Sequence, residues 1–166
     1  IYTDNLVGSV DVYKRQGRGN AAQGNISRSI IGGDDNDGNN ISNAFISGVR
    51  NEIINGSNST IAAGQNNTIG NVNSSSTNNN FVAGENNNLG IGSGSNTNKD
   101  SFILGRGNRV DGLIGGAFGS GNSVYSDVNA GTSIAIGQNN FVGSSSTRVR
   151  NCLLYTSPSP RDPIGS

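Results

Sequence analysis

Apolar and polar positions follow one nine-residue phrase that returns along the chain, Φ-Φ-x-Gly-x-x-Asn-x-Φ, with Φ an apolar residue. Full copies are FISGVRNEI (45–53), IAAGQNNTI (61–69), FVAGENNNL (81–89), FILGRGNRV (102–110) and IAIGQNNFV (134–142). Degraded copies start at Ile30 (IIGGDDNDG) and Gly116 (GAFGSGNSV), and GRGNAA from Gly17 reads as the tail of another. The key glycines are Gly17, Gly33, Gly48, Gly64, Gly84, Gly105, Gly119 and Gly137, separated by 16, 15, 16, 20, 21, 14 and 18 residues. Self-similarity at so short a period predicts a solenoid or roll in which each repeat stacks on the last.

No window carries apolar residues at helical spacing, and Gly and Asn interrupt every candidate helix. The runs AFIS, TIAA, NFVA, SFIL and SIAI are rich in β-formers and bounded by turn residues, which predicts strands. The apolar residue two after each key Asn (Ile53, Ile69, Leu89, Val110, Val124, Val142) predicts a second short strand. Gly-x-x-Asn between the two predicts a bend or bulge, because Gly reaches positive φ without strain and Asn tolerates it better than other residues. The expected fold class is therefore all-β: a repetitive parallel β-roll or β-solenoid of about eight short coils, each with two strands and two turns. At a spacing of about 4.8 Å the stack would be roughly 35–40 Å long. The key asparagines Asn36, Asn51, Asn67, Asn87, Asn108, Asn122 and Asn140 are expected to form a ladder. Their carboxamides offer donors and acceptors that satisfy turn backbone from coil to coil.

The two ends read differently. DVYKRQ (11–16) can be encoded by GATGTGTATAAGAGACAG, and the reverse complement of that DNA, read one base in, encodes CLLYTS (152–157). Both flanks resemble translated transposase-type sequencing-library adapter. Residues 1–16 and 152–166 are accordingly set aside from fold reasoning, and residues 17–151 are expected to be one β-roll repeat domain, an internal fragment of a longer protein. Cys152 and all three prolines then fall in a flank, and the repeat domain contains no Cys, His, Met, Trp or Pro. The chain carries 11 cationic and 11 acidic residues. That balance argues against nucleic acid or an anionic membrane as the main partner, since phosphate binding needs surplus positive charge. Composition rich in Asn, Gly and Ser often means disorder, but all five phenylalanines sit at fixed places in the repeats, which argues for order.

Each coil offers only four or so apolar residues, several of them Ala or Val. So thin a core gains little over its ordering cost, and sharing apolar faces between chains is one remedy. TSIAIGQNN (132–140) resembles the head repeat of YadA-like trimeric autotransporter adhesins, and the wider motif series is similar to repeats in bacteriophage tail fibres. The resemblance covers most of 17–151. It implies a left-handed parallel β-roll, a homotrimer, an extracellular place on a bacterial surface or phage virion, and a receptor that is a host-surface glycan or protein. The steadier spacing of the adhesin repeats is not matched here.

Chemistry is sparse. Without His or a Cys in the repeat domain, the usual zinc and copper sites and a Ser-His-Asp arrangement lack their residues. No cofactor is implied. The one concentrated acidic stretch is GGDDNDGNN (32–40), where Asp34, Asp35 and Asp37 could supply oxygens to Ca²⁺ or form a solvated turn. Arg106, Arg109, Arg148 and Arg150 read as solvated rim charges. The expected function is a non-enzymatic structural and binding module of a trimeric fibre, giving rigid extension and attachment to a host surface. Recognition is assigned to the long polar spacers at 70–80 and 90–101. Alternatives are a tailspike-like solenoid that degrades polysaccharide, which needs acids gathered on one face, and an ice-binding or calcium-binding solenoid. The threonines (Thr60, Thr68, Thr77, Thr97, Thr132, Thr147) form no regular array of the kind ice binding favours.

Overall fold

The computed structural model describes residues 14–55, 59–70, 77–90, 98–112, 114–125, 132–143 and 152–155. Every regular element among them is a β-strand. The larger sheet contains β1 (Lys14–Arg18), β3 (Ile30–Asp34), β5 (Phe45–Val49), β7 (Ile61–Gln65), β10 (Phe81–Glu85), β13 (Phe102–Arg106), β15 (Ile114–Ser120), β17 (Thr132–Gln138) and β19 (Cys152–Tyr155), in that spatial order. The smaller contains β2 (Ala21–Gln23), β4 (Asp37–Asn39), β6 (Glu52–Ile54), β8 (Thr68–Ile69), β11 (Asn88–Leu89), β14 (Arg109–Asp111), β16 (Ser123–Tyr125) and β18 (Phe141–Val142). All pairings are parallel, and chain order equals stacking order, so the protein is a parallel β-solenoid. The long spacers end in a third, two-stranded pairing of β9 (Thr77–Asn78) with β12 (Asn98–Lys99).

Register follows the motif and ignores the uneven spacing. The key glycines from Gly17 to Gly137 lie opposite one another on successive strands. A slip of one residue would turn the buried row outward, so the apolar pattern pins the register.

Two sequence-based expectations change. The count of eight coils is slightly off: the larger sheet has nine strands and the smaller eight. The extra strand is β19, and with residues 14–16 of β1 it comes from segments set aside as flanks. An end strand presents a row of unpaired backbone groups that any β-prone segment can join, and Leu154 also packs against the core. The second change concerns the core, which takes about two apolar residues per coil rather than four. The second Φ of the motif (Ile31, Ile46, Ala62, Val82, Ile103, Ala117, Ala135) and the last (Ile53, Ile69, Leu89, Val110, Val124, Val142) are buried. The first Φ points out of the larger sheet, because adjacent residues of a strand face opposite ways.

The degraded copies are repaired in space. Gly38 stands where other coils carry the last Φ, and the gap is filled by Ile41: a Cβ on Gly38 would lie 2.6 Å from Ile41 Cδ1. Gly116 stands where others carry the first Φ, and a Cβ there would lie 2.1 Å from Cζ of Phe102, whose ring covers the glycine.

Candidate interaction face and the ladder behind it

The two sheets meet at a corner built by Gly-x-x-Asn. The key glycines have φ between +105° and +128°, which side-chain-bearing residues rarely adopt. They are also too close to their neighbours for a side chain: a Cβ on Gly64 would lie 2.0 Å from the carbonyl oxygen of Gly84. Two residues on, the chain passes through the left-handed region, at Asp35, Arg50, Asn66, Asn86 and Asn139 with φ of 53–55°. The next residue is the key asparagine, which this turn aims into the interior.

There the asparagines stack. Asn51 N and Nδ2 donate to Asn36 Oδ1 at 2.9 and 3.1 Å, while Nδ2 also donates to Ser47 O at 3.0 Å and to Gly64 O at 2.8 Å. Asn36, Asn67, Asn87, Asn108 and Asn122 repeat the coil-to-coil bonds with their own neighbours. Each of these carboxamides thus ties its own corner to the coils on both sides. Asn20 is a rung that the sequence reading left out: its Nδ2 donates to Gln16 O and Gly33 O, both at 2.7 Å.

A second buried polar row, also missed, lines the opposite corner. Ser29, Thr60, Asn80, Ser101 and Ser133 are at most 2% exposed. Ala44 N donates to Ser29 Oγ at 3.1 Å, and Gly115 N to Ser101 Oγ at 3.2 Å. The signal was a small polar residue just before the first Φ in SII, TIA, NFV, SFI and SIA.

This rigid frame displays two unlike outer faces. The larger sheet exposes Ile30 (46%), Phe45 (42%), Ile61 (38%) and Phe81 (43%) in one row on consecutive coils, joined by Leu104, Phe118, Leu153 and Tyr155. Phe102 and Phe118 stack with ring centroids 4.7 Å apart. The smaller sheet presents Asp37, Glu52, Thr68, Asn88, Arg109 and Ser123 at equivalent register positions. Its aromatic group lies at one end, where Arg109 Cζ is 5.4 Å from the Tyr125 ring centre and Tyr125 is 5.8 Å from Phe141.

The acidic stretch is divided by the corner. Asp34 closes β3 and its Oδ1 accepts from Arg18 N at 3.4 Å. Asp35 occupies the left-handed turn, with its carboxylate over Gly19. Asn36 is buried in the ladder, and Asp37 opens β4 on the smaller sheet. The structure therefore does not gather Asp34, Asp35 and Asp37 around one point, and among the described residues no group of three or more His, Cys, Asp or Glu could hold a metal ion. Asp37 instead sits beside Glu52 on the next coil. Burial first, and then the Asp37 charge, raise the Glu52 pKa above the usual carboxylate value. Asp37 Oδ1 is buried without a hydrogen-bond partner.

Of the recognition segments, 71–76 and 91–97 lie outside the described residues, as do Arg148 and Arg150. No described helix is long and apolar enough to cross a membrane. Comparisons of the chain with protein-family models, with curated proteins and with solved structures found no match.

Proposed function

We propose that this solenoid is a structural and binding module of a homotrimeric extracellular fibre, in a phage tail fibre or a bacterial surface adhesin. Three left-handed copies pack side by side with the outer faces of their larger sheets against a common axis. The module gives rigid extension, and its long polar spacers meet a host-surface glycan or protein. One observation carries the reading: the first Φ of successive motifs forms an exposed apolar row on consecutive coils. Soluble single chains rarely leave such a row uncovered, and large exposed apolar patches mark association surfaces. The polar outer face of the smaller sheet suits solvent. The module does no chemistry of its own.

Light scattering after size exclusion tests the assembly. A particle of three 17.0 kDa chains is the expected result. A compact monomer at high concentration would sink it. Binding of the assembled particle to bacterial surfaces, and its loss on shortening the spacers, tests attachment.

The Asp37–Glu52 pair favours a second reading, polysaccharide cleavage, since it sets two acids side by side on adjacent coils, with the pKa of Glu52 raised by burial and by Asp37, and glycoside hydrolysis uses a pair of acids. Release of reducing sugar from surface glycans that disappears in Glu52→Gln would establish it.

A further inference from the structure

The outer face of the larger sheet has two margins, and their charges match each other. At one margin, two residues before each first Φ, the chain turns through the left-handed region at Arg28, Asn43, Ser59, Asn79 and Asp100, with φ of 42–60°. At the other, four residues after each first Φ, the strands end in Asp34, Val49, Gln65, Glu85 and Arg106, which follow one another in register. Of these five coils, two carry a charge at the first margin, and each of the two carries the opposite charge at the second: Arg28 with Asp34, and Asp100 with Arg106. Arg28, Asp100 and Arg106 are exposed and Asp34 is partly buried. Each carboxylate has one oxygen bonded inside the chain, Asp34 Oδ1 to Arg18 N at 3.4 Å and Asp100 Oδ1 to Asn79 Nδ2 at 2.9 Å.

Within one chain the members of a pair stand roughly 15–20 Å apart across the sheet, too far to form an ion pair. Between copies they meet. Identical copies related by an axis along the stack bring the first margin of one against the second margin of the next at the same coil. Arg28 then faces Asp34 of the next copy, and Asp100 faces Arg106. A slip of one coil loses both pairs. In one sense it sets Arg28 against Arg18 and Asp100 against Glu85, and in the other it sets Arg28 against Val49 and Asp100 against Ser120.

The apolar rows fit the same arrangement. Each strand faces outward again two residues after the first Φ, at Gly32, Ser47, Ala63 and Ala83. The ridge of Ile30, Phe45, Ile61 and Phe81 therefore runs beside a channel of small residues, and at Gly32 a Cβ would meet nothing within 4 Å. Copies that run in the same direction seat the ridge of one against the channel of the next. Copies that run in opposite directions about Ile61 would also unite Arg28 with Asp100 and Asp34 with Arg106. They would set ridge on ridge, however, with Phe45 against Phe81, and leave the channels unfilled.

We propose that this face docks a second copy of the chain, running in the same direction and at the same level, with Arg28–Asp34 and Asp100–Arg106 as ion pairs between copies. The inference rests on the lateral association proposed above and adds its direction, its level and the residues that fix them.

Sedimentation equilibrium of the full chain in low salt tests it. Arg28→Asp with Asp34→Arg keeps opposite charges face to face and should associate as the parent does. Arg28→Asp with Asp100→Arg sets like charges together and should weaken association about tenfold, a difference that closes in about 1 M salt. For copies running in opposite directions the two outcomes exchange, and that result would overturn the proposal. Equal behaviour of the two variants would overturn it as well. Asp100→Arg with Arg106→Asp, set against Asp34→Arg with Arg106→Asp, repeats the contrast should a variant of the first set fail to fold. A parent chain that stays a monomer overturns the lateral association itself. A parent that associates, with variants in the wrong order, leaves that association standing and overturns only the direction and the pairs.

Discussion

The outer faces of the two sheets share one backbone plan and differ in chemistry. Both are parallel, both belong to the same coils, and both lie over a row of buried apolar side chains. Yet one displays Ile30, Phe45, Ile61 and Phe81 and the other Asp37, Glu52, Thr68 and Asn88. The fold does not require the apolar row, since the smaller sheet forms without one. What the coils require lies inside: one apolar residue from each sheet, the asparagine rung, and a small polar residue at the far corner. The apolar row is therefore best explained by something that covers it.

The largest effect should come from breaking the corner on which both faces depend. In Gly84→Ala the new Cβ would lie 1.9 Å from Gly105 O at a φ of +119°. Strain and clash add, so a loss of about 3–5 kcal/mol is expected, seen as a fall in Tm of about 10 °C or as failure to fold. Alanine at Gly32, whose Cβ would meet nothing within 4 Å, is the matched control and should change little.

The faces themselves can then be exchanged. Phe45→Ser with Phe81→Ser should leave the circular dichroism of the single chain unaltered and weaken lateral association about tenfold or more. Thr68→Ser on the smaller sheet should leave the particle mass as it was. Equal behaviour of the two faces in light scattering would remove the asymmetry from any account of assembly.

The smallest effect concerns the acid pair. Burial and Asp37 raise the Glu52 pKa in the folded state. The folded chain therefore holds that proton more tightly than the unfolded chain. The stability this gives is fully present below the ordinary Glu pKa and is lost as pH rises through the raised one. At neutral pH the charged Glu52 is a cost, reduced by its partial exposure. Glu52→Gln should raise Tm by about 1–3 °C at pH 7 and leave it unchanged at pH 3. A gain that persists at pH 3 would show that packing, not charge, is responsible.

Strands, pairing order and register were legible because the motif repeats as a unit. The number of residues between copies varies without shifting that register. The flanks were harder, because Cys152–Tyr155 carries no motif and joins the sheet only through an open edge and Leu154. The acidic stretch read as a cluster because its residues are adjacent in sequence. A corner at Asp35 and a buried Asn36 send its carboxylates to different faces.

The sequence by itself determined that each Gly-x-x-Asn makes a corner, since positive φ and a buried carboxamide leave few other residues possible there. It also determined that one of the two adjacent apolar residues must face in and the other out. Which one faces in was decided only by closure of the coil, which turns Ile46, Val82 and Ile103 toward the second sheet and leaves Phe45 and Phe81 outside. Tertiary structure alone repaired the faulty repeats, with Ile41 filling the space at Gly38 and Phe102 covering Gly116. Such repairs depend on contacts between neighbouring segments at distances that no fixed period encodes.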